Sequence, residues 1–329
     1  MARLLRSLLR ISLGVVGGLA ILVVLLGLWF RTPAFGSHPF PGGSRADAGL
    51  LRGHVEHLCT KAGSRSANIP GATDLAADYI ESSFARTRAA VSRQEYPVGR
   101  GSAENIVARF GPDAGRLVVV GAHYDVYGDF PGADDNASGT AGLLELARLL
   151  DSRTLASPVQ LVAYSTEEPP FFGGSDMGSA AHARALRTSR TPVEAMICLE
   201  MIGFYSDRQP YSTLLLSLLY PWKGDFVAIV GRWDDRSLVR RCKRSFRGAT
   251  DVPVVSYSGP TGFGSDLSDH RNYWAEGYPS VMVTDTAFWR NHNYHSDADL
   301  PATLDYERMA GVVDGVLATV LQMAGTTSP

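Results

Sequence analysis

The chain begins with a long apolar block. Arg3, Arg6 and Arg10 precede a stretch from Ile11 to Phe30 that carries no ionisable group and closes on Trp29, Phe30 and Arg31. About 20 apolar residues of helix cross a bilayer, and an aromatic and cationic end suits the membrane interface. The block is longer than the apolar core of a cleaved signal, roughly 7 to 15 residues, so it reads as a retained single-span anchor. Residues 1–10 are then a basic cytoplasmic tail and residues 11–30 a transmembrane signal anchor. The rest is extracytoplasmic, in the periplasm or outside the cell. Residues 31–45, with Pro33, Pro39, Pro41, Gly36, Gly42 and Gly43, read as a linker, and residues 46–325 as one domain.

Beyond Ala46 the period becomes helical. Leu50, Leu51, His54, Val55 and Leu58 share one face, and Leu75, Ala76, Tyr79, Ile80 and Phe84 predict a second helix within Gly71–Arg88. Apolar runs of strand length follow at Ala103–Phe110, Arg116–Ala122, Val159–Ser165, Val193–Met201, Val227–Val230 and Pro279–Thr284. Helical patterns at Gly139–Leu150 and Gly178–Leu186 lie between them. The alternation predicts an α/β fold, a mixed, mostly parallel twisted sheet with helices on both faces. The site of such a fold lies just beyond the carboxyl ends of its strands.

Composition narrows the function. The 329 residues are 45% hydrophobic and 19% charged with a formal net charge of -2, which is ordinary globular composition. No Lys and Arg cluster has the density of a nucleic-acid footprint, so nucleic acid is excluded as a partner. Cys59, Cys198 and Cys242 are too few for a disulfide framework and have no CxxC spacing; Cys198, inside an apolar run, reads as a buried small hydrophobe.

Ligand-type residues fall where the predicted strands end: His123 and Asp125 after one run, Glu167 and Glu168 after another, Glu200 after a third. Convergent buried carboxylates repel one another and are costly to desolvate, and divalent cations relieve both problems. In the adjacent pair Glu167-Glu168, one carboxylate can bind metal while its neighbour stays free as a base. The Gly-rich turn Pro131–Gly139 adds Asp134 and Asp135 directly before a helix, more acid than a helix cap requires.

These segments resemble the zinc-dependent exopeptidases of the M28 class. The resemblance runs through Gly121-Ala-His-Tyr-Asp125, Gly132-Ala-Asp-Asp-Asn-Ala-Ser-Gly139, Glu167-Glu168, Leu199-Glu-Met-Ile-Gly203, Ser268-Asp-His270 and Tyr294-His-Ser-x-x-Asp299, and in looser form covers Leu50 to the C-terminus. It implies a zinc exopeptidase (phosphorylase/hydrolase-like) fold over residues 46–325. It also implies two Zn²⁺ ions held by His123, Asp135, Glu168, Glu200 and His295. Asp135 would bridge them, Glu200 would complete the site of His123, and Glu168 and His295 would serve opposite metals. Asp125 would orient His123, Glu167 would act as general base toward water, and Tyr294 would donate to the oxyanion. The Asp135–Asn136 peptide is expected cis. One departure is Glu200, where the family usually has Asp. His270 is expected to support the site, and His182 to be structural.

The function implied is an aminopeptidase that acts on peptide or aminoacyl substrates from a membrane anchor. Two other readings are a glutaminyl cyclase with one zinc on Asp135, Glu168 and His295, and a catalytically inactive ectodomain of the same fold. Tyr205, Tyr257, Phe263, Phe288 and Trp289 are candidates to line a substrate pocket, with Glu168–Asp176 as its rim.

Overall fold

The computed structural model describes residues 2–262 and 264–326. Its strands are β1 (Ala90–Val98), β2 (Gly101–Phe110), β3 (Leu117–His123), β4 (Val159–Tyr164), β5 (Val193–Glu200), β6 (Val227–Arg232), β7 (Val254–Gly259) and β8 (Ser280–Thr284). They form one sheet in the order β1-β2-β4-β3-β5-β8-β6-β7. The central strands β4, β3, β5 and β8 are mutually parallel, while β1, β2 and β6 bring in antiparallel pairings. The sheet is the mixed α/β sheet the pattern predicts.

The helices are α1 (Ala2–Phe30), α2 (Ala48–Thr60), α3 (Asp74–Phe84), α4 (Gly139–Asp151), α5 (Gly178–Thr188), α6 (Leu214–Leu219), α7 (Arg236–Ala249), α8 (His270–Ala275) and α9 (Tyr306–Ala324). Alternate residues of the central strands face opposite sides of the sheet. Val118, Val120 and Ala122 join a core with residues of α2, α3, α4, α7 and α9. Leu117 and Val119 join a second core with residues of α5 and α8. Cover on both faces is why these strands read as unbroken apolar runs rather than alternating ones.

Several elements have no clear sequence signal. Strand β1 is an edge strand whose Arg93 reaches Asp78, Glu81 and Glu104 near the surface, so it lacks an apolar run. In β7, Ser256 and Ser258 interrupt the apolar pattern, yet both are buried. Helix α9 carries two internal glycines, and a Cβ at Gly315 would lie 2.4 Å from the Phe246 ring of α7. Leu50 and Leu75, at the margins of the apolar helical faces, are exposed.

Residues 31–45 differ from a free linker because α7 and β7 hold them. The Lys243 ammonium donates to the carbonyls of Arg31 (3.0 Å) and Thr32 (3.2 Å). The Thr32 hydroxyl donates to Ser258 at 2.7 Å, and Arg45 pairs with Asp314 of α9 at 2.9 Å. A Pro- and Gly-rich segment forms no ladder of its own, but side chains of the domain satisfy its carbonyls.

The site sits on a tight contact between two central strands. A Cβ at Gly121 would fall 2.2 Å from the Tyr164 ring, whose hydroxyl is pinned at 2.7 Å to Tyr273. Overpacking of this kind costs about 1–3 kcal/mol. Gly121→Ala is therefore expected to lower the thermal unfolding midpoint, read by circular dichroism, and an unchanged midpoint contradicts the packing described.

Candidate metal centre

The parallel strands release their functional side chains at one edge. His123 is the last residue of β3 and pairs with Tyr164 of β4; Glu167 and Glu168 follow β4, and Glu200 ends β5. Asp135 lies in the turn before α4, and His295 in the loop after β8. The turn requires glycine at position 132, where φ is +55° and a Cβ would meet the Asp135 carbonyl oxygen at 2.3 Å. The Asp135–Asn136 peptide is cis.

The Asp135 carboxylate faces both imidazoles. Its Oδ1 is 3.4 Å from His123 Nε2, and its Oδ2 is 3.1 Å from His295 Nε2. Glu200 Oε2 lies 3.5 Å from His123 Nε2, and Glu168 Oε1 lies 3.1 Å from His295 Nε2. Two triads result, His123-Asp135-Glu200 and Asp135-Glu168-His295. Glu168 and His295, expected on opposite metals, instead stand together, because the β4 and β8 loops meet on the same side of Asp135. Glu167, 3.9 Å from His123 Nε2, belongs to neither triad.

Supporting groups fix these positions. His123 Nδ1 lies 3.2 Å from the Asp125 carbonyl and 3.3 Å from its carboxylate. The Asp125 carboxylate also accepts the backbone N–H of Glu167 and of Glu168, each at 3.1 Å. It positions three residues and does not itself line the cavity. Asp299 accepts the N–H of Asp134 (3.0 Å) and of Asp135 (3.1 Å). Glu200 accepts from Ser268 at 2.6 Å. His270, expected to support the site, instead meets the Ser265 carbonyl at 2.8 Å, so Ser268 supplies the contact. The His295 ring is stacked between Tyr294 (3.7 Å) and Tyr127 (4.3 Å). Tyr127 carries no motif and is found only in three dimensions.

The triads open into a cavity of about 270 Å³ that also exposes Glu167 and Tyr294. Pro169 and Phe172 of the expected rim line it, together with Leu267, Phe288 and Trp289. Tyr205 stands apart, over Arg290, and Tyr257 lines a neighbouring hollow. Phe263 lies outside the described residues. His182 is buried against Tyr273 at 2.6 Å, a structural role, and the three cysteines are free.

Electrostatics fit the geometry. Burial opposes protonation of His123, but the Glu167 and Glu200 carboxylates outweigh it and hold its pKa well above the ordinary value. For His295, burial is likewise outweighed by hydrogen bonds to Asp135 and Glu168, which bring it to about 9. Burial, reinforced by the Asp135 charge, pushes Glu168 up to about 8. Burial also raises Glu167 strongly, against the pull of His123.

Zinc fits this donor set. His123 Nε2 is buried without a hydrogen-bond partner among the described residues, an expensive state unless a ligand completes it. Ligands roughly 2.1 Å from a tetrahedral zinc stand about 3.4 Å apart, and the donor separations around His123 are 3.4 and 3.5 Å. Zinc takes neutral imidazole and carboxylate, whereas without metal His295 and Glu168 hold protons up to about pH 9 and 8. Loading at pH 7 is therefore expected to release protons, with affinity rising as pH rises. Titration calorimetry in buffers of different ionisation enthalpy reads this directly, and a buffer-independent heat contradicts it.

The model of Peptidase family M28 matches residues 105–320, from β2 to α9. Escherichia coli K12 YfbL, an uncharacterised protein, is 46% identical over 276 residues, covering 80% of this chain and 84% of that one. Leucine aminopeptidase 1 of Grosmannia clavigera is 29% identical over 70% of this chain; the chain spans 54% of that relative's length. Among solved structures, Legionella pneumophila LapA aminopeptidase has a TM-score of 0.69 at 23% identity, covering 86% of this chain and 73% of that one. Porphyromonas gingivalis glutaminyl cyclase has a TM-score of 0.67 at 20% identity, covering 84% and 98%. At these identities the two structures speak for the fold alone. The match across β2 to α9, which takes in His123, Asp135, Glu167, Glu168, Glu200 and His295, gives the conclusion: this chain belongs to peptidase family M28 and is a metallohydrolase.

Proposed function

We propose that the chain is a membrane-anchored aminopeptidase with two zinc ions, His123, Asp135 and Glu200 holding one and Asp135, Glu168 and His295 the other. The observation that carries the reading is the Asp135 carboxylate, whose two oxygens face His123 and His295 at 3.4 and 3.1 Å while Glu167 is left over. Bound zinc supplies Lewis-acid polarisation of a peptide carbonyl and acidifies a water. Glu167 removes a proton from the attacking water at its carboxylate and returns it to the leaving amine. Asp125 keeps His123 in the tautomer that presents Nε2 to the site. The Tyr294 phenol donates to the developing oxyanion. Burial and the charges of Asp135 and Glu168 raise its pKa, so it stays a donor. Phe288 and Trp289 offer an apolar wall to the side chain of the N-terminal residue.

The anchor reading is supported by α1, long and apolar enough to cross a membrane from Arg6 to Phe30. Residues 1–10 are then the cytoplasmic tail, 11–30 the span and 46–325 the extracytoplasmic catalytic domain. The triad Asp135-Glu168-His295 alone would suit a cyclase with one zinc; His123 with Glu200 favours two ions and hydrolysis.

Glu167→Gln is expected to keep its zinc, measured by elemental analysis, while kcat on aminoacyl amides falls roughly 100- to 10,000-fold. Undiminished turnover rejects Glu167 as the base. Asp135→Ala is expected to lose zinc and activity together, and normal zinc content rejects the bridging role. With N-terminal glutamine peptides, release of the first residue supports the peptidase, and ammonia with a pyroglutamyl product the cyclase.

A further inference from the structure

Helix α6 reads Leu-Leu-Leu-Ser-Leu-Leu from Leu214 to Leu219, with leucine on every side and Ser217 as its one polar residue. Such a helix belongs in a core or in lipid. It is not enclosed by a core: Leu214 and Leu218 are 76% and 60% exposed, and Trp222 just beyond is 76% exposed. Its other face, Leu215, Leu216 and Leu219, borders an apolar hollow of about 280 Å³ that Phe30 of α1 also lines.

The position of α6 indicates what covers it. It stands against the last turn of α1, where a Cβ at Gly27 would lie 3.4 Å from Leu219 Cδ2. The end of α1 is fastened to the domain: Trp29 packs edge-on to Trp233 at 6.2 Å, and Phe30 stacks on Tyr257 at 5.8 Å. The medium around the final turn of α1 therefore also reaches Leu214 and Leu218. Cations accompany the aromatic rings, with Arg236 4.2 Å over Trp29 and Arg31 5.8 Å from Tyr220. Aromatic rings with Lys or Arg mark the headgroup level of a membrane.

We propose that α6 and Trp222 are immersed in the interface of the bilayer that α1 spans, a second membrane contact that lays the domain against the lipid. The partner is the bilayer itself, and the inference rests on α1 being a retained anchor. The hollow beside α6 and the catalytic cavity share Val230, Gly264, Thr286 and Trp289. Immersion of α6 therefore sets the active site close to the lipid surface.

The test uses the full chain, carrying Cys59→Ser, in nanodiscs of phosphatidylcholine and phosphatidylglycerol. Nitroxide labels are attached singly through Leu218→Cys in α6, Val16→Cys in α1 and Asp113→Cys in an exposed loop. Their collisions with oxygen, which concentrates in lipid, and with a water-soluble nickel chelate are then measured. The label at 218 is expected to have access to oxygen and several-fold less nickel contact than at 113, with the label at 16 shielded from nickel further still. Nickel contact at 218 equal to that at 113, with 16 shielded, overturns the inference and leaves the anchor reading intact. Nickel contact at 16 as well overturns both. Shielding of 218 from both reagents means that protein covers α6, which also overturns the inference.

Discussion

Four carboxylates, Asp135, Glu167, Glu168 and Glu200, line one cavity with the His295 imidazole, and the buried His123 imidazole lies against Asp135 and Glu200. Were all four ionised, their charge would exceed that of both rings even when protonated; burial instead raises Glu167 and Glu168 toward the neutral form. That concentration is unfavourable by itself, so most of the surrounding structure serves to hold it together. Asp125 accepts the amides that start the Glu167-Glu168 pair, and Asp299 accepts those that start the Asp134-Asp135 turn. Each buried acid behind the site thus straightens a loop that carries an acid into it. The Asn136 side chain links the same turn to β5, donating to the Leu199 carbonyl at 2.9 Å and accepting from the Met201 N–H at 3.1 Å.

The sheet makes the convergence possible. Four parallel strands end at one edge: β3 and β5 carry His123 and Glu200 as their last residues, the turn after β4 carries Glu167 and Glu168, and the loop after β8 carries His295. Helices on both faces bury the strands, so their edge is fixed by two cores rather than one. His295 comes from the longest excursion, the loop after β8, with φ at 54°. Stacking between Tyr127 and Tyr294 holds its ring where a loop alone would leave it free to rotate.

The N-terminal segment is joined to this frame as well. Lys243, Ser256 and Ser258 hold residues 31 and 32 against α7 and β7, so the end of α1 has a defined bearing on the domain. The buried serines of β7 become intelligible through this contact: they receive a chain segment instead of an apolar layer.

The sequence alone carried the class of fold and most of the site. Doubly covered strands write themselves as apolar runs, and the acids and imidazoles at their ends, His123, Glu167, Glu168 and Glu200, are conspicuous because nothing apolar explains them. What it could not carry were relations between distant segments. The pairing of Glu168 with His295, the use of Ser268 rather than His270, the stacking of Tyr127 and the seating of residues 31–45 each depend on loops meeting across the fold. Edge strand β1 and the glycine-bearing α9 were hidden for the same reason: contacts remote in sequence stabilise them, and local periodicity records only which face of an element is buried, not what it is buried against.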